Sequence, residues 1–422
     1  MSIKLRLTIL NFFEFFVFGA WLISLGSYLG GQLQFNGGQI GKIFMTLGIG
    51  SILMPAIVGI IADKYINAQK LFGILHVLGA GFLFYLAQIN DYDTFFWVML
   101  GYLLLYMPSI GLANAVSYSI LDDNKYDVIK VFPPIRVWGT IGFIVAMWAV
   151  DILEWTQSPY QFYFAAGFSL LLGIYSFTLP NVPLSKSENK SLVQRLGLDA
   201  FALFKDYKMA IFFTFSMLLG VVLQISNAWA SEFLRSFTEG FPDSFAVKHP
   251  NILISLSQIS ETVFILTIPF FLKRFGIKAV MLMSMLAWFL RFALFGIGNP
   301  EGIGLGFLIV SMIVYGMAFD FFNISGSLFV ETETDNKFRS SAQGLFILLT
   351  NGVGALIGGY TSGLIVDLYS KYQMIDGDSV VISRDWFSIW MVFAAYALLL
   401  ALLFWMIFKY KHNPERIKEV TH

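Results

Sequence analysis

The chain has 422 residues, of which 57% are hydrophobic and only 13% are charged, and its mean hydropathy is +0.72. Soluble domains carry about 25% charged residues, so this composition excludes a water-covered globular protein and predicts one that lipid largely covers. The 27 basic residues balance the 27 acidic ones, which removes the electrostatic basis for nucleic-acid binding, and the absence of cysteine excludes disulfides, thiolate metal sites and a thiol nucleophile.

Apolar segments long enough to cross a bilayer recur along the whole chain. A hydrocarbon core of about 30 Å needs about 20 apolar residues in a helix, and this measure predicts about twelve membrane spans. The first is too long for the apolar region of a signal peptide, so we interpret it as a span rather than a cleaved leader. The predicted spans are 8–29, 39–61, 71–89, 94–120, 135–153, 162–180, 208–232, 251–272, 278–298, 303–330, 340–366 and 386–408.

One long polar segment, residues 181–207, separates the first six predicted spans from the last six. It begins with Asn181 and Pro183 and carries Lys186, Lys190 and Arg195. We therefore predict an all-α membrane protein of twelve transmembrane helices in two six-helix bundles, residues 1–180 and 208–422, joined by this cytoplasmic linker.

The distribution of Lys and Arg predicts the orientation of the spans. Cytoplasmic segments of membrane proteins are enriched in basic residues. If the N-terminus is cytoplasmic, most of the 27 basic residues fall on that side of the membrane. An even number of spans then places the C-terminus on the same side, so we expect both termini in the cytoplasm of a cell whose inner membrane holds the protein.

A charged loop follows the second predicted span. It reads Gly59-Ile60-Ile61-Ala62-Asp63-Lys64, and a weaker echo, Lys273 to Lys278, occupies the corresponding place in the second half. This pattern resembles the Gly-x-x-x-Asp-Arg/Lys loop signature of the major facilitator superfamily. An acid beside a base at a helix end can latch neighbouring helices, so Asp63 and Lys64 are a predicted conformational latch; an ordinary charged loop is the alternative.

Ionisable side chains within the spans need a reason to be there. A charge at mid-membrane costs roughly 2.5–3.5 kcal/mol on insertion scales, so such groups face a bundle interior or a watery cavity. The candidates are Glu14, Arg136, Glu261, Arg291 and Asp320. Of these, Glu261 is the hardest to explain as structural. Arg136 follows two prolines and could instead anchor the cytoplasmic end of its helix, Arg291 suits a structural ion pair, and Glu14 could reach either the cytoplasmic interface or the cavity.

Polar and aromatic residues recur at helical spacing in four spans, so each set shares one helix face. The sets are Arg136, Thr140 and Phe143; Gln224 and Asn227; Gln258 and Glu261; and Tyr315, Phe319 and Asn323, with Asp320 and Phe322 alongside.

These groups together predict the chemistry of a ligand. Amides, hydroxyls and carboxyls suit a neutral solute rich in hydroxyls and ring nitrogens, and Phe143, Phe319 and Phe322 offer flat faces for stacking. A buried carboxyl can take up a proton near neutral pH. The alternative is that the polar residues only join helices, which in membranes contributes about 0.6 kcal/mol each.

Small residues form one face of the span 340–366. They run from Asn351-Gly352-Val353-Gly354 through Gly358-Gly359 to Gly363, which predicts close helix contact and sliding. We assign no ligand to this face.

Longer stretches carry a more specific resemblance. They are Phe132-Pro133-Pro134-Ile135-Arg136, Trp138-Gly139-Thr140-Ile141-Gly142-Phe143, Gly197-Leu198-Asp199-Ala200-Phe201-Ala202-Leu203-Phe204, Ser257-Gln258-Ile259-Ser260-Glu261-Thr262, and the run from Tyr315 to Gly326. With them, the sequence closely resembles, nearly end to end, the bacterial nucleoside:proton symporters of the major facilitator superfamily, which include the nucleoside and xanthosine permeases.

The resemblance implies proton-coupled nucleoside uptake across the cytoplasmic membrane by alternating access between two bundles. It implies no cofactor, no metal and no enzymatic activity, with nucleosides, protons and the lipid bilayer as partners of a chain expected to be a monomer. Glu261 and Asp320 are the expected proton-coupling residues. Substrate contacts are implied for Arg136, Thr140, Phe143, Gln224, Asn227, Gln258, Glu261, Tyr315 and Phe319.

Three other functions remain to be weighed. One is a carrier for another small polar solute, such as a sugar or a drug, although the drug-exporter Gly/Pro signature is missing around Gly139–Phe143. The second is a membrane-embedded enzyme, which would need a nucleophile or a metal site. The chain has no cysteine, and His76 is the only histidine in a predicted span. The third is a transporter-like sensor, which would need a signalling domain.

Overall fold

The computed structural model describes residues 1–184, 198–335, 338–375 and 378–410, and nearly all of them are helical. The long helices are α1 (Ile3–Gly19), α2 (Gly37–Lys64), α3 (Ala68–Leu86), α4 (Tyr92–Asp123), α5 (Val128–Ile152), α6 (Tyr160–Ser176), α7 (Tyr207–Arg235), α8 (Pro250–Ile297), α9 (Gly302–Glu333), α10 (Arg339–Ile347), α11 (Ala355–Leu368) and α12 (Trp386–Ile407).

Several helices begin at a side-chain cap outside the apolar segment. Asp91 accepts a hydrogen bond from the Thr94 amide at 2.8 Å, and Asp206 accepts one from the Met209 amide at 3.0 Å. Such caps satisfy amides that have no partner within the helix. The bond from the Thr94 amide also lowers the pKa of Asp91.

Nine helical segments within the described residues are long and apolar enough to cross a membrane, when Arg339–Leu368, which contains α10 and α11, is counted as one. One of them, α8, covers both predicted spans 251–272 and 278–298, and Gly276, with φ at 80°, marks the break between its two halves. Helices α1 and α6 have 17 residues each and fall short of that length. The count of twelve spans therefore stays a prediction.

Two predicted spans are less regular than expected. The span 8–29 is helical only to Gly19; turns, a short helix at Leu25–Ser27 and a π-helix at Tyr28–Gln32 follow. In the span 340–366, the π-helix Leu348–Gly354 separates α10 from α11. π-Helical turns are rare in proteins, and those that occur are often found at functional sites.

A two-stranded antiparallel sheet precedes α12. Its strands are β1 (Ser370–Ile375) and β2 (Asp378–Arg384), with a bulge between Lys371 and Tyr372. The sequence analysis did not predict this hairpin. The remaining short helices are a 3₁₀-helix at Leu198–Lys205 and an α-helix at Phe245–Lys248.

The chain forms two compact units. Residues 1–35 and 46–184 belong to unit 1, and residues 36–45 together with the described residues from 198 onward belong to unit 2. The predicted linker falls partly outside the described residues, including Lys186, Lys190 and Arg195, and the predicted bundle limits stay a prediction.

Glycines set the closest helix contacts in each unit. In unit 1, a Cβ at Gly142 of α5 would lie 2.9 Å from the carbonyl carbon of Phe12 in α1. In unit 2, a Cβ at Gly316 of α9 would lie 2.7 Å from the amide of Glu261 in α8, and one at Gly358 of α11 would lie 2.7 Å from the carbonyl of Val221 in α7. Small residues let membrane helices approach each other closely.

Substituting Gly142 with alanine should lower the thermal stability of the purified protein. The added methyl meets Phe12 backbone atoms, and overpacking typically costs about 1–3 kcal/mol. Gly167→Ala is the matched control, because no heavy atom of the described residues lies within 4 Å of a Cβ there. Equal melting temperatures for both variants would contradict this account of the α1–α5 contact.

Candidate functional site

The unit 1 residues predicted to contact substrate lie on α5. Arg136 and Thr140 are half-buried and Phe143 is buried. The guanidinium carbon of Arg136 lies 3.9 Å from the centre of the Phe15 ring in α1, a cation–π contact. Phe143 also meets α1, because its ring lies 6.0 Å from that of Phe18 in an edge-to-face arrangement.

Two glycines of the Trp138–Phe143 motif explain why these side chains stay together. Gly139 faces the ring of Phe15, and Gly142 faces the backbone of Phe12, so α5 lies directly against α1. A third glycine, Gly19 of α1, faces the backbone of Phe143. The position of the predicted stripe therefore depends on the α1–α5 contact.

The predicted acidic centre of unit 2 forms where α8 meets α9. Gly316 fits against the backbone of Ser260 and Glu261, and the Ser260 hydroxyl donates a hydrogen bond to the main-chain oxygen of Ile313. Glu261 is half-buried and lies within electrostatic range of both Asp320 and Tyr315. Three of the predicted residues are thus brought together by one helix contact.

Aromatic rings line the α9 side of this centre. The rings of Tyr315 and Phe319 stack with centroids 5.8 Å apart and an angle of 5° between their planes, and Trp288 packs edge-on against Tyr315 at 5.6 Å. Beside them is a cleft of about 260 Å³. Its lining comprises Leu219, Gly220, Leu223, Trp288, Ala318, Phe319, Phe322, Asn323, Thr350 and Asn351.

Several predicted polar atoms have no hydrogen-bond partner among the described residues. They are Oδ2 of Asp320, Oε1 of Gln258 and Nε2 of Gln224. Asp320 is only 4% exposed and Gln224 is equally buried, so each atom has lost water without gaining a protein partner. Buried polar groups are nearly always paired, and exceptions call for a ligand, a water or a proton. Asn227, three residues after Gln224 on α7, is half-buried.

Arg291 differs from the expected structural ion pair. Its guanidinium donates to the Ser226 hydroxyl at 2.9 Å and to the main-chain oxygen of Ser311 at 2.8 Å, and it lies 4.7 Å from the centre of the Tyr315 ring. The side chain is 1% exposed. No carboxylate lies within ion-pair distance of it in the described part of the chain. This charge is therefore stabilised by hydroxyl and carbonyl dipoles, and the guanidinium packs against the Tyr315 ring.

A buried ion pair in unit 2 was not predicted. Nη1 of Arg384, at the end of β2, lies 2.6 Å from Oε1 of Glu232 near the end of α7, and both side chains are under a tenth exposed. The sequence placed Arg384 in an outer loop, and no local pattern links two residues so far apart. Only the hairpin brings them together.

The predicted latch residues lie at the end of α2. Asp63 is half-buried and Lys64 is exposed. Among the described residues, no group of three or more His, Asp or Glu side chains is arranged to hold a metal ion.

Comparisons with known proteins identify the family and the fold of the chain. The model of the family described as Nucleoside H+ symporter matches residues 1–413. The chain is 53% identical to the xanthosine permease of Escherichia coli (strain K12) and 49% identical to the nucleoside permease NupG of the same strain, in each case over the full length of both chains. A crystal structure of nucleoside transporter NupG superposes with a TM-score of 0.90 at 49% identity and covers 97% of this chain and 100% of the other.

Replacing Arg291 with lysine should destabilise the protein. Lysine retains the charge but lacks the planar fork of donors, so some of the hydrogen bonds to Ser226 and Ser311 are lost, each worth about 1.5–3 kcal/mol for a charged group. We expect a lower melting temperature for Arg291→Lys and no change for Arg274→Lys, whose side chain is exposed. Unchanged stability of Arg291→Lys would show that those bonds contribute nothing.

Proposed function

The chain belongs to the nucleoside H⁺ symporter family, and we propose that Glu261 and Asp320 are the residues through which it couples nucleoside movement to protons. It is a multi-pass membrane protein with the major facilitator fold, and its function is proton-coupled nucleoside transport. The observation that carries the proposal is the buried carboxyl of Asp320, which has an atom without a hydrogen-bond partner in the described residues and lies beside a second carboxyl.

Two neighbouring carboxyls in a membrane segment favour proton binding. Both cannot be ionised cheaply, because like charges repel strongly where little water screens them. A proton shared by Glu261 and Asp320 removes one of the two charges. Loading of proton and nucleoside then leaves a more neutral site, which lowers the barrier to the conformational change of alternating access.

The nucleoside itself is proposed to contact polar and aromatic side chains. The amides of Gln224 and Gln258 each offer an atom that no described residue satisfies, which suits ribose hydroxyls and ring nitrogens of a base. The stacked rings of Tyr315 and Phe319 offer a flat face for a base. The proposed contacts are Arg136, Thr140, Phe143, Gln224, Asn227, Gln258, Glu261, Tyr315 and Phe319.

We further propose a cellular setting for the protein. The excess of basic residues in one set of loops supports an inner-membrane protein with both termini in the cytoplasm, taking nucleosides up along the proton gradient. Asp63 and Lys64 act as the latch at the end of α2, and a single chain in the bilayer is the transporting unit.

Uptake of labelled nucleoside tests the proposal in cells that lack other nucleoside carriers. One proton charge moving through about 100 mV supplies about 2.3 kcal/mol, enough for about 50-fold accumulation. We expect the wild-type chain to reach at least this accumulation and a protonophore to abolish it. Glu261→Gln should still exchange labelled for unlabelled nucleoside but should not concentrate it.

Glu239→Gln is the control, because Glu239 is an exposed carboxylate outside the helices and should leave accumulation unchanged. A Glu261→Gln protein that still concentrates nucleoside against its gradient would rule out Glu261 as the coupling residue. If unlabelled sugars, and not unlabelled nucleosides, inhibited this uptake, nucleosides would be ruled out as the substrate class.

A further inference from the structure

A second acidic centre lies inside unit 1, apart from the residues that the proposed function uses. Glu14 of α1 is fully buried, and His76 of α3 is 2% exposed. Their Oε2 and Nε2 atoms are 2.7 Å apart. The Ser109 hydroxyl of α4 lies 2.8 Å from the other carboxyl oxygen, Oε1, and 2.6 Å from the main-chain oxygen of Tyr106, and its hydrogen can go to either.

Hydrogen positions in this cluster follow from its partners. The Ser169 hydroxyl of α6 lies 2.9 Å from the main-chain oxygen of His76 and can donate its hydrogen to it. In that arrangement its oxygen accepts the hydrogen of the His76 Nδ1 atom, 3.1 Å away. Nδ1 is then a donor, which leaves Nε2 either as the acceptor of a neutral imidazole or as the second donor of an imidazolium.

With Nδ1 as a donor, one proton lies between Glu14 and His76. If the histidine is neutral, its Nε2 lone pair needs a proton on the carboxyl; if the histidine is charged, it donates to a carboxylate. Both arrangements contain the same number of protons and have no net charge. Removing that proton leaves a buried carboxylate against a lone pair, with no basic side chain other than His76 within ion-pair distance in the described residues.

The cluster suits a proton rather than a larger ligand. A cavity of about 150 Å³ adjoins it and is lined partly by His76, Tyr102, Tyr106, Ser109 and Ser169. None of this space is wide enough for a water molecule, so a nucleoside does not fit. With no room for a further molecule, protonation is the chemistry left to this site.

The cluster is connected to the proposed substrate contacts of α5. Tyr106 donates a hydrogen bond to the main-chain oxygen of Glu14 at 2.7 Å and lies within electrostatic range of both Glu14 and Arg136. Phe15, the residue after Glu14 on α1, also contacts the Arg136 guanidinium. A change of charge at Glu14 therefore changes the electrostatic potential at Arg136.

We propose that Glu14 and His76 form a second proton-binding site, which takes up and releases one proton in each transport cycle. The titratable and charged groups facing Glu14 are His76 from α3, Tyr102 and Tyr106 from α4 and, through Tyr106, Arg136 from α5. Helix α6 contributes the Ser169 hydroxyl. The proposal rests on the proposed function, because it adds a proton to the same cycle.

Glu14→Gln tests the proposal in proteoliposomes. The amide is the same size as the carboxyl and can donate to the His76 Nε2 lone pair without any bound proton, so we expect a folded protein that still exchanges nucleosides. The number of protons moved with each nucleoside should fall by one, and accumulation at about 100 mV should fall about 50-fold. Glu154→Gln, at an exposed carboxylate of unit 1, should match the wild type.

Each result has one meaning. If Glu14→Gln and Glu154→Gln both retain the wild-type proton number and accumulation, the second site is wrong while the proposed function stands. If the wild-type protein itself accumulates no nucleoside in response to a proton gradient, the proposed function fails.

A spectroscopic measurement on the wild-type protein covers the case in which Glu14→Gln does not fold. Nitrogen-15 NMR of labelled histidine, with the His76 signals assigned from His76→Gln and with His249→Gln as the control substitution, reports both ring nitrogens. We expect Nδ1 to stay protonated while the Nε2 signal moves with pH. An Nε2 signal that is constant across the pH range would overturn the proposal.

Discussion

A charge inside a bilayer has no water to solvate it, and the rest of this structure depends on how the chain meets that constraint. Arg291 is surrounded by serine and carbonyl oxygens, Glu232 is paired with Arg384, and Glu14 is hydrogen-bonded to His76. Asp320 has no basic partner within ion-pair distance in the described part of the chain, and its buried Oδ2 has no hydrogen-bond partner there. A buried carboxyl oxygen of this kind is well suited to bind a proton or a ligand that comes and goes.

Close helix contacts at glycines determine where the charged side chains lie. Gly142 packs against the backbone of Phe12, two residues before Glu14 on α1, and Gly316 packs against the backbone of Ser260 and Glu261. Since the contact atoms are mostly backbone, a small shift at either crossing moves an ionisable side chain along with its partners. Packing and electrostatics are therefore coupled in each unit.

Helical period and hydropathy were enough to predict most of the helical segments and which polar residues share a helix face, because both depend on neighbours in sequence. Partners distant in sequence were not predictable. The expected ion pair of Arg291 was wrong, since its acceptors, Ser226 and Ser311, lie on other helices and carry no charge that marks them. Glu14 and His76 were both noticed as ionisable or polar within spans, but 62 residues separate them and only the fold joins them. The hairpin at Ser370–Arg384 was missed because it is short and flanked by stronger helical signals.

The central claim is that proton and nucleoside binding are linked through Glu261 and Asp320. The most direct measurement is the affinity of the purified protein for a nucleoside from about pH 5 to about pH 10, since linkage requires a ligand that favours the protonated site to bind more weakly as that proton is lost. The account predicts that wild-type affinity falls with rising pH and that Glu261→Gln is much less sensitive. Wild-type affinity that is constant over the whole range, with binding intact, would contradict it.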